Sequence, residues 1–139
     1  MPFWKHKPAK RTDRTRLVER AKRWWSKAIL KEQPICQKCR RKPAVHAHHV
    51  ITRGARGAKA WWFSMSYGCG LCFDCHSSWA HSTDYERQKA FTEDFLKPWL
   101  AKRGLDYDRL LTAARARCGK LQNWDIEVLI DGLKKYVKQ

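Results

Sequence analysis

Val45-His46-Ala47-His48-His49-Val50-Ile51 lies between two cysteine pairs, Cys36-Gln37-Lys38-Cys39 and Cys72-Phe73-Asp74-Cys75, and its reading decides the fold. Its alternation and β-branched residues predict a strand. Successive strand side chains take opposite faces, so His46 and His48 share one face and His49 takes the other. A Gly-containing, arginine-rich turn, Thr52 to Gly57, follows. A returning strand is expected through Trp61 to about Tyr67, with a helix starting near Cys72. His76 comes directly after Cys75, and His81 five residues later.

The cysteine pairs are separated by 32 residues. Two thiolates from each of two tight knuckles can close a tetrahedron around zinc, at Zn–S distances of about 2.3 Å. Pro34 puts the first pair, Cys36 and Cys39, on a turn. The second, Cys72 and Cys75, opens a helix, a treble-clef-like arrangement. Four thiolates leave no open coordination position, so this zinc is structural and contributes folding energy. Redox dithiols would need a βαβ context that the pattern lacks. Cys69 and Cys118 are left over and read as free buried thiols.

Adjacent histidines on a strand suit a division of labour. His48, with a helical His76, could hold one divalent cation through neutral imidazoles, leaving positions for water and phosphate oxygens. Magnesium or manganese is the expected ion, with zinc as the alternative. His49 would take a proton from an attacking water, since an imidazole pKa of about 6.5 suits general-base work near neutrality. Five of the six histidines lie between positions 46 and 81, around the knuckles, and His6 stands apart.

Outward from this core, the 139 residues read as a single α+β domain. Residues 1–12 form a basic arm and 13–33 a basic helix. Residues 34–82 are the zinc-stapled core, and 83–139 a helical C-terminal part. The N-terminal helix starts near Asp13 or Thr15 as its cap and runs to about Glu32. Leu17, Ala21, Trp24, Trp25, Ala28 and Ile29 form its apolar stripe. Arg16, Arg20, Arg23 and Lys27 lie on another face and suit a track of phosphates. Past Ser82 a helix is expected from Tyr85 to Arg103, with a kink or break at Pro98 and a C-cap at Gly104. Further helices follow over about Tyr107 to Arg117 and Trp124 to Val137, the last capped by Asn123.

Thirty Lys plus Arg against 13 Asp plus Glu give a net charge of +17. Such an excess points to an acidic polymer as partner, nucleic acid above all. No apolar run approaches the roughly 18 residues of a membrane span. The N-terminal stretch lacks a signal peptide's apolar segment, so a cytoplasmic location is expected, that of a host cell if a phage encodes the chain. Arg53 and Arg56 are the best candidates to clamp a phosphate beside the histidines. Trp61 and Trp62 read as packing residues for the second strand, with base stacking as the alternative.

C-x-x-C, then His48-His49-Val50-Ile51-Thr52-Arg53-Gly54, then Leu71-Cys72-Phe73-Asp74-Cys75-His76, resembles the ββα-metal HNH endonucleases, closest to the variant with two zinc knuckles. That resemblance covers roughly residues 36–82. It implies a catalytic-metal ligand at His48, a general base at His49 and a second ligand at His76. His81 becomes a further ligand or a phosphate contact. The arrangement is also similar to phage recombination endonucleases of the NinG (Rap) type, which act on branched DNA including Holliday-type junctions. Branched DNA is then the implied substrate, a two-fold homodimer an attractive form, and a recombination protein an implied partner. The family's central asparagine would fall at Tyr67, flanked by Ser66 and Gly68, so an amide is missing there. The alternatives are a zinc-containing DNA or RNA binder that does not cut, and a zinc-stabilised ribosomal or assembly protein.

Overall fold

The computed structural model describes residues 12–51, 60–116 and 121–139. The fold is mixed α+β and mostly helical. Helix α1 (Asp13–Glu32) leads to a two-stranded antiparallel sheet of β1 (His46–His49) and β2 (Gly68–Leu71). Short 3-10 turns at Ala60–Phe63 and Met65–Tyr67 precede β2. Helix α2 (Phe73–Cys75) runs on as a widened π-helical turn over His76–Ala80. Then come α3 (Tyr85–Ala90), a second π-helical stretch (Phe91–Leu96), α4 (Lys97–Lys102), α5 (Tyr107–Arg115) and α6 (Asn123–Lys138).

The sheet lies between two helical layers, each with its own core. Register pairs His46 with Leu71, Ala47 with Gly70, His48 with Cys69 and His49 with Gly68. Opposed residues share a face, so Cys69 and Leu71 join His46 and His48 on the side of α3–α5. Val50, Tyr67, Cys69 and Leu71 pack there with Phe91, Leu96, Trp99 and Leu100. The other face carries Ala47 and His49 against Leu17, Ala21, Trp25 and Ile29 of α1, with Ile126 and Ile130 of α6 behind them.

Two glycines let α1 sit so close. A Cβ on Gly68 would fall 2.2 Å from Ile29 Cδ1, and one on Gly70 would fall 2.8 Å from the Gln33 carbonyl oxygen. Gln33, just past α1, is buried and extends the sheet with its side chain. Its amide donates to the Gly68 carbonyl at 3.1 Å and accepts from the Gly70 N–H at 2.7 Å. Helices α1 and α6 run parallel. Arg14 donates to the Leu121 carbonyl and Asn123 Oδ1 at one end, and Lys31 donates to the Tyr136 and Gln139 carbonyls at the other.

Several sequence expectations need correction. The second strand is not Trp61 to Tyr67 but Gly68–Leu71, because the aromatic stretch coils into the two 3-10 turns. Thr12, not Asp13 or Thr15, caps α1, its hydroxyl accepting from the Thr15 N–H at 3.1 Å. Gln122 rather than Asn123 is the cap position of α6, and its N–H donates to Asp125. Pro98 does not break its helix. The π-helical stretch just before it widens the turn where the proline ring would otherwise meet the Asp94 carbonyl. Gly104, at φ +75°, ends that helix as expected. No helix among the described residues is long and apolar enough to cross a membrane.

Candidate metal centres

The first centre is built by a miniature hairpin and the start of α2. Ile35 bridges Pro43, and the Cys36 N–H donates to the Lys42 carbonyl, folding Cys36 and Cys39 into a knuckle. Arg40, with φ 60°, turns the chain just after Cys39. Cys72 stands at the N-terminal cap of α2, where its sulfur accepts the Cys75 N–H at 3.4 Å. The sulfurs of Cys36, Cys39, Cys72 and Cys75 all lie within 4.8 Å of one another. A Lys42–Asp74 ion pair ties the knuckle to α2. Backbone N–H groups of Arg41, then Lys42, lower the Cys39 thiol to about 6, while burial pushes Cys75 up. Holding all four as thiolates therefore calls for a cation among them, and a tetrahedral all-sulfur set suits zinc. Cys69 is buried and stands outside the tetrad, its thiol pushed up by burial. Cys118 lies outside the described residues.

The second centre is made of imidazoles. His48 comes from β1, and His76 and His81 from the turn that prolongs α2. Their ring nitrogens also gather within 4.8 Å of one another, with His48 buried, His76 half-buried and His81 exposed. The π-helical turn makes this possible. On a regular α-helix, residues five apart diverge by about 140°. Here the His81 N–H donates to the His76 carbonyl, bringing the two rings to 4.5 Å. The group is graded from interior to solvent, as a site with an accessible coordination position must be. No carboxylate belongs to it among the described residues.

Burial, then the neighbouring His81 and His76, lowers His48 to about 3. Burial, then His81 and His46, lowers His76 to about 4. Both are neutral at pH 7 with lone pairs free for a cation, the form a metal ligand requires. His46 was not singled out as a site residue, yet its ring stacks on His76 at 4.6 Å. The shared strand face with His48 was the available signal.

His49 lies across the sheet. Its ring is sandwiched between Trp25, at 3.9 Å, and Trp62, at 3.6 Å, both nearly parallel to it. Nε2 is 2.8 Å from the Trp62 carbonyl oxygen. A carbonyl only accepts, so Nε2 carries the proton and Nδ1 keeps the lone pair. Burial, then Lys22, lowers this imidazole to about 4, against the pull of the Trp62 carbonyl. Trp62 thus packs on His49, and Trp61 packs on Tyr67. The Tyr67 hydroxyl donates to the Leu110 carbonyl, and its own carbonyl accepts from the Val50 N–H, anchoring the hairpin to α5.

The basic residues divide. Arg53 and Arg56 lie outside the described residues. Arg16, Arg20, Arg23 and Lys27 are all exposed on α1. Arg16 is 3.9 Å from Asp13, and Arg20 shares a groove with Glu127 and Asp131, so carboxylates temper that end of the track. No family model, curated protein or solved structure matches the chain.

Proposed function

We propose that this chain is a metal-dependent endonuclease of the HNH kind that hydrolyses DNA phosphodiesters, with branched or recombination-intermediate DNA as its substrate. The observation that carries the reading is the convergence of His48, His76 and His81 beside a separate cysteine tetrad. A structural zinc site accounts for the four thiolates. It leaves three further imidazoles, graded from buried to exposed, without a structural purpose. The +17 charge supplies the attraction to a polyanion.

In this reading His48, His76 and His81 hold the catalytic cation. When bound, the cation neutralises charge on the scissile phosphate and the departing oxygen. Three imidazoles without a carboxylate favour zinc over magnesium, which prefers oxygen ligands. His46 braces His76 by stacking. His49 acts as the base through Nδ1, with the Trp62 carbonyl fixing the tautomer. Tyr67 stands where the family's asparagine would fall and takes over the anchoring of the hairpin. Arg53 and Arg56 contact the phosphates.

A second reading, a zinc-containing nucleic-acid binder that does not cut, is favoured by one observation: the His49 ring is enclosed by two indoles and only 7 % exposed. Nicking of supercoiled plasmid with zinc, manganese or magnesium, alongside gel shifts on linear, forked and four-way DNA, separates the two. Nicking by the wild type, lost in His48→Ala and His49→Ala while DNA binding persists, supports the enzyme. Binding without nicking under every metal leaves the binder. Cutting unchanged in His49→Ala removes His49 as the base, and equal affinity for all three DNAs removes the preference for branches.

A further inference from the structure

We infer that the seam between α1 and α6 is a second phosphate-binding surface, centred on Trp24, that grips the backbone of duplex nucleic acid away from the histidine centre. Three ammonium groups crowd onto one indole: Lys27 at 4.5 Å from the ring centroid, Lys134 at 5.5 Å and Lys138 at 5.7 Å. Lys27 lies more than a hundred residues before Lys134 and Lys138 in sequence, and the parallel packing of α1 on α6 brings them together. None of the three forms an ion pair among the described residues, although Asp131 lines the hollow beside Lys134 and Lys138.

The dipole of α6 favours basic residues in its last turn. It does not explain why Lys134, a turn earlier, joins Lys138 to meet Lys27 of another helix over a half-buried tryptophan. Like charges gathered this way repel, and a polyanion relieves that repulsion. Duplex DNA carries one charge per about 1.7 Å of axis, so a patch of this width meets several phosphates at once. Trp24 holds the ammonium groups in place by cation–π contact. The histidine centre belongs to the opposite face of the sheet, so this grip acts on another stretch of the nucleic acid. The inference rests on the nuclease reading only for the identity of the polyanion.

The test is the salt dependence of binding to a labelled linear duplex, measured on the zinc-loaded full chain without added divalent metal. Each neutralised phosphate contributes about 0.9 to the slope of log affinity against log salt. The triple variant Lys27→Gln/Lys134→Gln/Lys138→Gln is expected to flatten that slope by about 3. A charge-matched variant on the other layer, Lys89→Gln/Lys102→Gln/Arg109→Gln, should change it by less than about 1. If the triple variant fails to keep its zinc, Lys134→Gln/Lys138→Gln replaces it, with an expected loss of about 2. Equal flattening in both sets overturns the proposal, because net charge alone would then explain binding. An unchanged slope overturns it too. So does loss of binding to phosphatidylserine–phosphatidylcholine vesicles with the duplex slope intact, which would mark the seam as a lipid surface. Because the readout is binding, the slopes decide the matter even for a protein that never cuts, and plasmid nicking by the wild type tests the enzyme reading separately.

Discussion

Ile29 Cδ1 occupies the place where a side chain on Gly68 would begin, 2.2 Å from the ideal Cβ position. The contact fixes the distance between α1 and the sheet, and with it the slot that His49 shares with Trp25. Gly68→Ala should therefore force Ile29 and the helix outward. The expected loss is about 1–3 kcal/mol, read from the denaturant midpoint of the zinc-loaded protein. Gly132→Ala is the control: it meets nothing within 4 Å on the exposed side of α6 and should leave stability unchanged or slightly raised.

Gln33 supplies a second local test. Truncation to alanine would leave the Gly70 N–H and the Gly68 carbonyl without their buried partner. Loss of a buried pairing of this kind costs about 1–3 kcal/mol. Gln33→Glu should also destabilise, because a carboxylate can accept from Gly70 but cannot donate to Gly68. Amide exchange at Gly70 should quicken in Gln33→Ala, much less in Gln33→Glu, whose carboxylate still accepts that N–H, and exchange at Val45, which donates to Leu71, should change little in either.

The thiolate tetrad predicts one tightly held zinc with sulfur-only coordination. X-ray absorption should give Zn–S distances of about 2.3 Å. Cys36→Ser or Cys75→Ser should lower zinc content and the melting temperature together, and prolonged chelation should unfold the chain. Cys69→Ser should leave zinc content intact, since that sulfur is outside the tetrad.

A separate outcome is expected for the imidazoles. His76→Ala should abolish binding of a second divalent ion while the thiolate-bound zinc stays. Isothermal titration into protein already loaded with one zinc reads this directly. Under the nuclease reading, nicking should fall about 100-fold or more. His46→Ala should weaken the second ion more mildly, because His46 touches His76 without belonging to the ligand set.

Much of this centre could be read in the chain itself. The C-x-x-C spacing marked the four thiols, and strand alternation put His48 and His49 on opposite faces. What escaped the sequence was tertiary in origin. Trp61 to Tyr67 has the aromatic richness of a strand, whereas Gly68-Cys69-Gly70-Leu71 has two residues that strands disfavour. Those glycines are explained only by α1 lying against them. The alignment of His76 with His81 depends on a π-helical turn, which a count of residues on a regular helix would rule out. The lysines over Trp24 meet through the parallel pairing of two distant helices, which leaves no trace in local periodicity.

Strand β1 also acts as a partition. A molecule approaching His48 does so from the layer of α3–α5, and one approaching His49 must come from the side of Trp25 and Trp62. A single substrate that addresses both must pass around an end of β1. Register is critical for the same reason: a slip of one residue in β1 would exchange the two histidines between compartments. A matching shift in β2 would drive Cys69 and Leu71 into Ile29 and Gln33, where there is room only for hydrogen.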